Sequence, residues 1–437
     1  MALGRKGPLG FWSVVAIGIG GMVGGGIFAV LGLAVELARG GTPVAFLVAG
    51  LVALVTSYSY VKLSIAFPSE GGTVEFINQA FGPGLFTGTL NVLLWLSYIV
   101  MLSLYAFAFG SYGASFFPLA AQPFWRHVFI TAIVVALTGL NALDAEVVGK
   151  AEEGIVAVKI AILLFFVGVG IWSVTPGRLA PSTWSSPLEL LAGGMIIFLA
   201  YEGFELIANT AGDVKNPAKT LPRAYYTAVL FVIALYVTVA LVTVGNLPLN
   251  QIVSARDYAL AAAARPFLGT FGFTLIAIAA LLSTGSAINA TLYGTARVSY
   301  IIAKEGELPA FLEKRVWNKP LEGLVITSGL TLLMANLFDL SSISMMGSAG
   351  FLLIFAVVNA SNYRLAAKTG CKPWLALLGL GVCLMALGAL VWQRAVTRPR
   401  ELWVLVVMVG LSFAIEAAYR AVTGRRLQPT FAKKPLF

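Results

Sequence analysis

Residues 11–37 form an apolar stretch long enough to cross a bilayer. Its centre reads Gly18-Ile19-Gly20-Gly21-Met22-Val23-Gly24-Gly25-Gly26-Ile27-Phe28, with six glycines in nine residues. A spanning helix needs about 20 apolar residues, and each interior glycine costs it about 0.5–1 kcal/mol relative to alanine. Open backbone survives inside a membrane only where protein buries it or a wet cavity lines it. Two readings follow. The helix breaks mid-membrane and offers amides and carbonyls to a solute, or Gly20-x-x-x-Gly24 and Gly21-x-x-x-Gly25 serve as small-residue packing faces. Packing requires one small face, whereas this run is glycine on every side, so the break is the favoured reading.

The rest of the chain fits a membrane setting. Of 437 residues, 59% are hydrophobic and 11% charged, against about 25% charged in a soluble domain. The chain is therefore expected to be an all-α, polytopic integral membrane protein of a cell (plasma or inner) membrane. Cys371 and Cys383 are the only cysteines and His127, in an apparent loop, the only histidine. This argues against a disulfide framework, a metal site or a histidine-based catalytic centre. No nucleophile–base pair suggests an enzyme, and no ring of acids or repeated filter loop suggests a channel.

Hydropathy gives twelve spans: 11–37, 43–67, 84–117, 127–142, 147–173, 190–212, 222–245, 270–302, 321–337, 341–361, 374–392 and 401–420. With the N-terminus cytoplasmic, eighteen basic residues fall inside and eight outside, while Lys62, Lys159 and Arg297 lie within spans. The net charge of +10 thus reports topology, with both termini cytoplasmic and no nucleic-acid partner. The Arg394–Arg400 cluster, on the outer side, runs against the trend.

Span 6 carries a second interruption, Phe198-Leu199-Ala200-Tyr201-Glu202-Gly203-Phe204-Glu205. Spans 1 and 6 are five apart, so a five-plus-five repeat places both breaks at matching positions, the mark of a transporter's central site. The organisation expected is 1–173 (first repeat), 174–361 (second repeat) and 362–437 (two further spans and a basic cytoplasmic tail). Pro217 and Pro222 are expected to stop helices and stiffen the connector after span 6. The alanine-rich run Tyr258–Ala264 suggests a short external helix ending at Arg265-Pro266.

Lys159 sits near the middle of span 5, about a dozen residues from either end. A mid-membrane charge costs about 2.5–3.5 kcal/mol on insertion scales and marks a functional site by default. Burial can bring a lysine proton into exchange near neutral pH; the alternative is a structural tie to helix-end carbonyls. Glu202 either faces a substrate side chain, favouring a cation, or caps a freed helix end. Glu205 either gates or carries a proton, or makes a structural hydrogen bond. Ser283, Thr284 and Ser286 offer mid-membrane hydroxyls, or bond back to their own helix. Arg297 reads as an anchor, Lys62 and Glu36 as interfacial, and Trp95 and Tyr98 as packing.

Four motifs together resemble the amino acid–polyamine–organocation transporter superfamily, and within it the sodium-independent, proton-coupled ApcT-type amino-acid transporters. They are Gly20-x-Met22-x-Gly24-x-Gly26-Ile27-Phe28; Phe67-Pro68-Ser69-Glu70-Gly71-Gly72; Ala200-Tyr201-Glu202-Gly203-Phe204 with Lys215-Asn216-Pro217 and Pro222-Arg223-Ala224; and Asn289-Ala290-Thr291-x-Tyr293-Gly294-x-x-Arg297-Val298-x-Tyr300 with Ala303-Lys304-Glu305-Gly306-x-Leu308-Pro309. The resemblance implies a LeuT-like inverted repeat and an amino-acid site at the two breaks. It also implies that Lys159 stands where sodium-coupled relatives hold a sodium ion, beside the Gly20–Gly21 carbonyls and the span-8 hydroxyls Ser283 and Ser286. Two departures are Lys62, where many members carry an acid, and Leu199, where an aromatic gate is common; Phe198 or Tyr201 can replace the latter.

The mechanism expected seats the substrate carboxylate on the amides of Val23, Gly24, Gly25 and Gly26, where a helix start carries unpaired donors and partial positive charge. The ammonium faces carbonyls of Ile19, Phe198, Leu199 and Tyr201, with Met22 and Ala200 completing the site and Phe198 and Glu205 as gates. The coupling ion is a proton, with no cofactor. The rivals are proton-independent amino-acid or polyamine exchange and a nutrient-sensing receptor on a transporter fold.

Overall fold

The computed structural model describes residues 9–143, 146–304 and 321–423. The basic tail and the Glu305–Pro309 end of the fourth motif lie outside them. Sixteen helices follow in order. They are α1 (Phe11–Met22), α2 (Gly26–Ala38), α3 (Thr42–Ala66), α4 (Thr73–Phe81), α5 (Leu85–Ala114), α6 (Gln122–Leu143), α7 (Glu146–Gly170), α8 (Pro187–Ile196), α9 (Pro217–Asn246), α10 (Leu249–Ser254), α11 (Ala259–Lys304), α12 (Leu321–Leu337), α13 (Leu340–Arg364), α14 (Ala366–Thr369), α15 (Pro373–Thr397) and α16 (Leu402–Thr423). Between α8 and α9 the chain runs through 3₁₀ turns at Phe198–Tyr201 and Phe204–Asp213.

Among the described residues nine helices are long and apolar enough to cross a membrane. Two bent pairs raise this to eleven: α1 with α2, bent by 46°, and α8 with the segment through Asp213, bent by 48°. The seventeen residues of α12 are apolar but shorter. Spans 1 and 6 are therefore both interrupted, at the glycine run and at Ile197–Gly203.

The core lies around α5, which is buried along almost its whole length from Thr87 to Ala114 and packs against α6, α11, α12, α13 and α16. α3 packs on α9, and α1 on α9 as well. Leu9, where the described residues begin, is tied to the end of span 6, its amide donating to Asp213 O at 2.7 Å and its carbonyl accepting from Lys215 N at 2.9 Å.

Several expectations need correction. His127 lies inside α6, which begins at Gln122, and its Nδ1 is 2.7 Å from Asn336 Oδ1. Pro217 opens α9 rather than ending a helix, and Pro222 lies within its first turns. Pro217 costs the helix little because the first four amides have no intrahelical partner in any case; Pro222, the sixth residue, lies inside the helix and removes one backbone donor there. The external helix does not stop at Arg265-Pro266; it continues to Gly269, whose φ of 63° makes the bend into span 8. Arg394 is not in an outer loop. α15 extends to Thr397, and the buried Arg394 guanidinium donates to Ser341 Oγ at 2.8 Å. The helix α4, after the second motif, had no counterpart among the expected elements.

Candidate functional site

α1 ends with the Val23 amide bonded to Ile19 O at 2.7 Å, and α2 begins only at Gly26. The break leaves a run of carbonyls, and long-range donors take them. Lys159, 1% exposed on α7, donates from Nζ to Gly20 O at 3.2 Å. Tyr236 on α9 donates to Met22 O at 2.6 Å and to Ala200 O at 3.3 Å, joining the two breaks. Ser283 on α11 donates to Val23 O at 3.1 Å and to Gly24 O. Among the described residues the amides of Gly24 and Gly25 have no acceptor. Buried backbone groups are nearly always paired, so amides left open beside occupied carbonyls form a ready anion seat.

The second break is held the same way from α13. Ile196 O accepts from Ser344 Oγ at 2.6 Å and Ser348 Oγ at 2.8 Å, and Leu199 N donates to Ser348 Oγ at 3.1 Å. Tyr201 OH reaches Phe46 O on α3 at 2.8 Å. Gly203 turns the chain with φ 117° and lies against span 1 so closely that an added Cβ would stand 2.4 Å from the Gly21 carbonyl carbon. Only glycine satisfies both the angle and the gap. Its amide donates to Glu205 Oε2 at 2.7 Å, and Tyr98 OH donates to Glu205 Oε1 at 3.3 Å.

A cavity of about 580 Å³ starts at Gly20, Gly21, Glu202 and Gly203 and runs past Tyr98, Tyr105 and Ala287 to Leu9, Asn209, Thr291 and Val298. It opens on the face where the described chain begins. The opposite face is closed: Arg39 pairs with Trp184 in a backbone bridge, Arg256 joins Glu36 and Asp257 at 3.2 Å each, and Arg126 reaches Asp257 at 3.5 Å.

The expected residues separate by position. Gly20, Gly21 and Glu202 line the cavity. Ile19, Met22, Val23, Gly24, Gly25, Gly26, Phe198, Leu199, Ala200 and Tyr201 surround the two breaks, buried beyond its end. Gly26 abuts Ala200, and Phe198 meets Phe355 edge-on at 5.8 Å. Lys159 and Ser283 both bind break carbonyls but at different ones, and Ser286 is half-buried one turn along α11. Thr284 bonds back to Ala280 O at 2.7 Å. Lys62 donates to Gly370 O at 3.2 Å at the end of α3, and Arg297 pairs with Glu70 rather than standing alone. Tyr98, Tyr105, Tyr236, Ser344 and Ser348 were not read as site residues. The signal for Tyr98 and Tyr105 was their seven-residue spacing, two turns along one face of a helix; for Tyr236 and the two serines no sequence signal marks the role.

Residues 9–413 match the family model described as amino acid permease. The chain belongs to that family. It is 37% identical over 422 residues to an uncharacterised protein of Methanocaldococcus jannaschii, covering 95% of this chain and 96% of that one. It is 34% identical over 402 residues to the inner membrane transport protein YbaT of Escherichia coli, covering 91% and 93%. It is 26% identical over 384 residues to the branched-chain amino acid permease BcaP of Bacillus subtilis, covering 83% and 82%. The amino acid permease assignment makes this a multi-pass membrane transporter and not an enzyme.

Proposed function

We propose that this permease is a sodium-independent, proton-coupled secondary transporter of amino acids working by alternating access, of the ApcT type. It would have twelve spans in a five-plus-five inverted repeat, residues 1–173 and 174–361, followed by residues 362–437. Both termini would be cytoplasmic, which makes the cavity inward-facing.

The observation that carries this reading is the Lys159 ammonium on the Gly20 carbonyl of a broken helix, 1% exposed. A buried cation bound to break carbonyls occupies the role a metal ion would otherwise fill, and its proton can be exchanged where a metal ion can only leave. Protonated, Lys159 ties α7 to α1. Without the proton the tie to Gly20 loses its charge, and the two elements separate more easily. A pH difference then acts by favouring one of the two states over the other.

The substrate carboxylate would sit on the open amides of Gly24 and Gly25. Its ammonium would face the carbonyls of Ile19, Phe198, Leu199 and Tyr201, sharing those of Ile19 and Leu199 with the Val23 and Glu202 amides. Phe198 and Glu205 would gate, with Met22, Val23, Gly26, Leu199 and Ala200 shaping the walls. The test is Lys159→Ala in proteoliposomes with an imposed pH gradient and no sodium. The expected result is loss of uphill amino-acid accumulation with downhill equilibration retained. Unchanged uphill uptake would remove Lys159 from coupling.

A further inference from the structure

We propose that Glu202 sets the charge of the side chain the permease accepts, taking either a proton or the cationic end of a lysine- or arginine-like amino acid. This rests on the transporter reading given above.

Three observations carry it. Glu202 is the sole acidic or basic residue among the described residues lining the 580 Å³ cavity. Lys159 approaches from behind Gly20 and is not part of the wall. The described wall combines small and hydroxyl-bearing residues, such as Ala16, Gly20, Gly21, Ala287, Tyr98 and Tyr105, with the apolar Ile17, Val156 and Leu206. A cavity of this size holds a small molecule with room to spare. A described wall with one carboxyl group and no base favours a cation.

Glu205 accepts at Oε1 from Tyr98 and at Oε2 from the Gly203 amide. Glu202 is 3% exposed, and a carboxyl group so buried is held as the neutral acid unless a cation pairs with it, so Glu202 holds a proton in the empty site. When a cationic side chain enters, the Glu202 O–H proton leaves through the cavity mouth and the carboxylate accepts from the incoming ammonium or guanidinium. A neutral amino acid leaves that proton in place. Among the described residues the other titratable groups around the breaks and the cavity are Glu205 on its own segment, Lys159 on α7, Tyr60 on α3, Tyr98 and Tyr105 on α5, Tyr236 on α9 and Tyr293 on α11.

The experiment measures binding of lysine and alanine to the purified full chain near neutral pH, for wild type, Glu202→Gln and Glu202→Asp. The expected result is a lysine-over-alanine preference that falls at least about 30-fold in Glu202→Gln, about 2 kcal/mol, and returns in part in Glu202→Asp. Titration calorimetry of the wild type in buffers of different ionisation heat supplies a readout that needs no variant. Lysine should release up to about one more proton per molecule bound than alanine does. Wild type that binds alanine but not lysine, a preference unchanged by Glu202→Gln, or equal proton release for both amino acids overturns the assignment of Glu202 and leaves the transporter reading standing. Wild type that binds neither lysine nor alanine overturns both.

Discussion

The two broken spans cross tightly at Gly21 and Gly203, and Gly203→Ala tests whether that contact organises the site. The new Cβ would lie 2.4 Å from the Gly21 carbonyl carbon and 2.6 Å from the Met22 amide nitrogen, where ordinary contact begins at 3.4 Å. Span 6 would have to withdraw from span 1 by about 1 Å to restore contact distance. Backbone lies on both sides of the clash, so no side-chain rotation relieves it. A φ of 117° adds about 1–3 kcal/mol for any residue with a Cβ, and overpacking adds about 1–3 kcal/mol. A displacement of about 1 Å at a reacting or binding centre costs about 100-fold in rate. The variant should therefore lose stability by about 2–6 kcal/mol and lose nearly all uptake. Gly212→Ala is the control, since nothing lies within 4 Å of its added Cβ. The assays are thermal unfolding of the purified protein and initial uptake rates in proteoliposomes. Gly203→Ala protein with the wild-type melting temperature and uptake rate would refute the close crossing of the two breaks.

Other consequences follow from the donors that hold the breaks. Ser283→Ala leaves the Val23 and Gly24 carbonyls without their shared donor, and should cost about 1–3 kcal/mol of stability and weaken amino-acid binding. Thr284→Val, one residue on, removes only a bond to its own helix and should change thermal stability by less than about 1 kcal/mol. Tyr236→Phe frees both the Met22 and Ala200 carbonyls and should cost about 1–3 kcal/mol, read by thermal unfolding. Arg256→Ala removes the partly exposed pairs to Glu36 and Asp257 on the closed face. It should weaken that closure by about 0.5–1 kcal/mol, seen as faster amide exchange in α2 and the 249–258 segment at low salt, with the difference shrinking as salt is added.

The two breaks were legible in the sequence because each asks a membrane helix to bear residues it cannot use. A glycine run with no apolar face and a Glu-Gly pair amid apolar residues both have physical reasons to interrupt a helix. Lys159 was legible because an unexplained charge in the middle of a span is costly. The partners that hold the breaks were not. Tyr236 and Met22 are 214 residues apart, and Ser344 and Ile196 are 148 apart. Nothing local distinguishes such a tyrosine or serine from any other apolar-helix hydroxyl. α5 hid its face for a related reason. It is buried on nearly all sides, so hydrophobic periodicity, which separates a buried stripe from an exposed one, carries no signal there. Tyr98 consequently reads as packing and Tyr105 is not singled out at all, although both line the cavity. The bend at Gly269 escapes the sequence because Arg265-Pro266 looks like the helix end, whereas the chain carries Pro266 inside α11 and turns three residues later at a glycine with positive φ.

The most direct test of the central claim follows protons rather than amino acids. Proteoliposomes without sodium, loaded with a pH-sensitive dye and given an amino acid at the outer side, report whether substrate movement carries protons. Wild type should acidify the lumen as the amino acid enters, and Lys159→Ala should admit the amino acid with no pH change. Amino-acid entry without proton movement in wild type, or the same acidification in Lys159→Ala, would contradict a buried lysine acting as the coupling group at a broken helix.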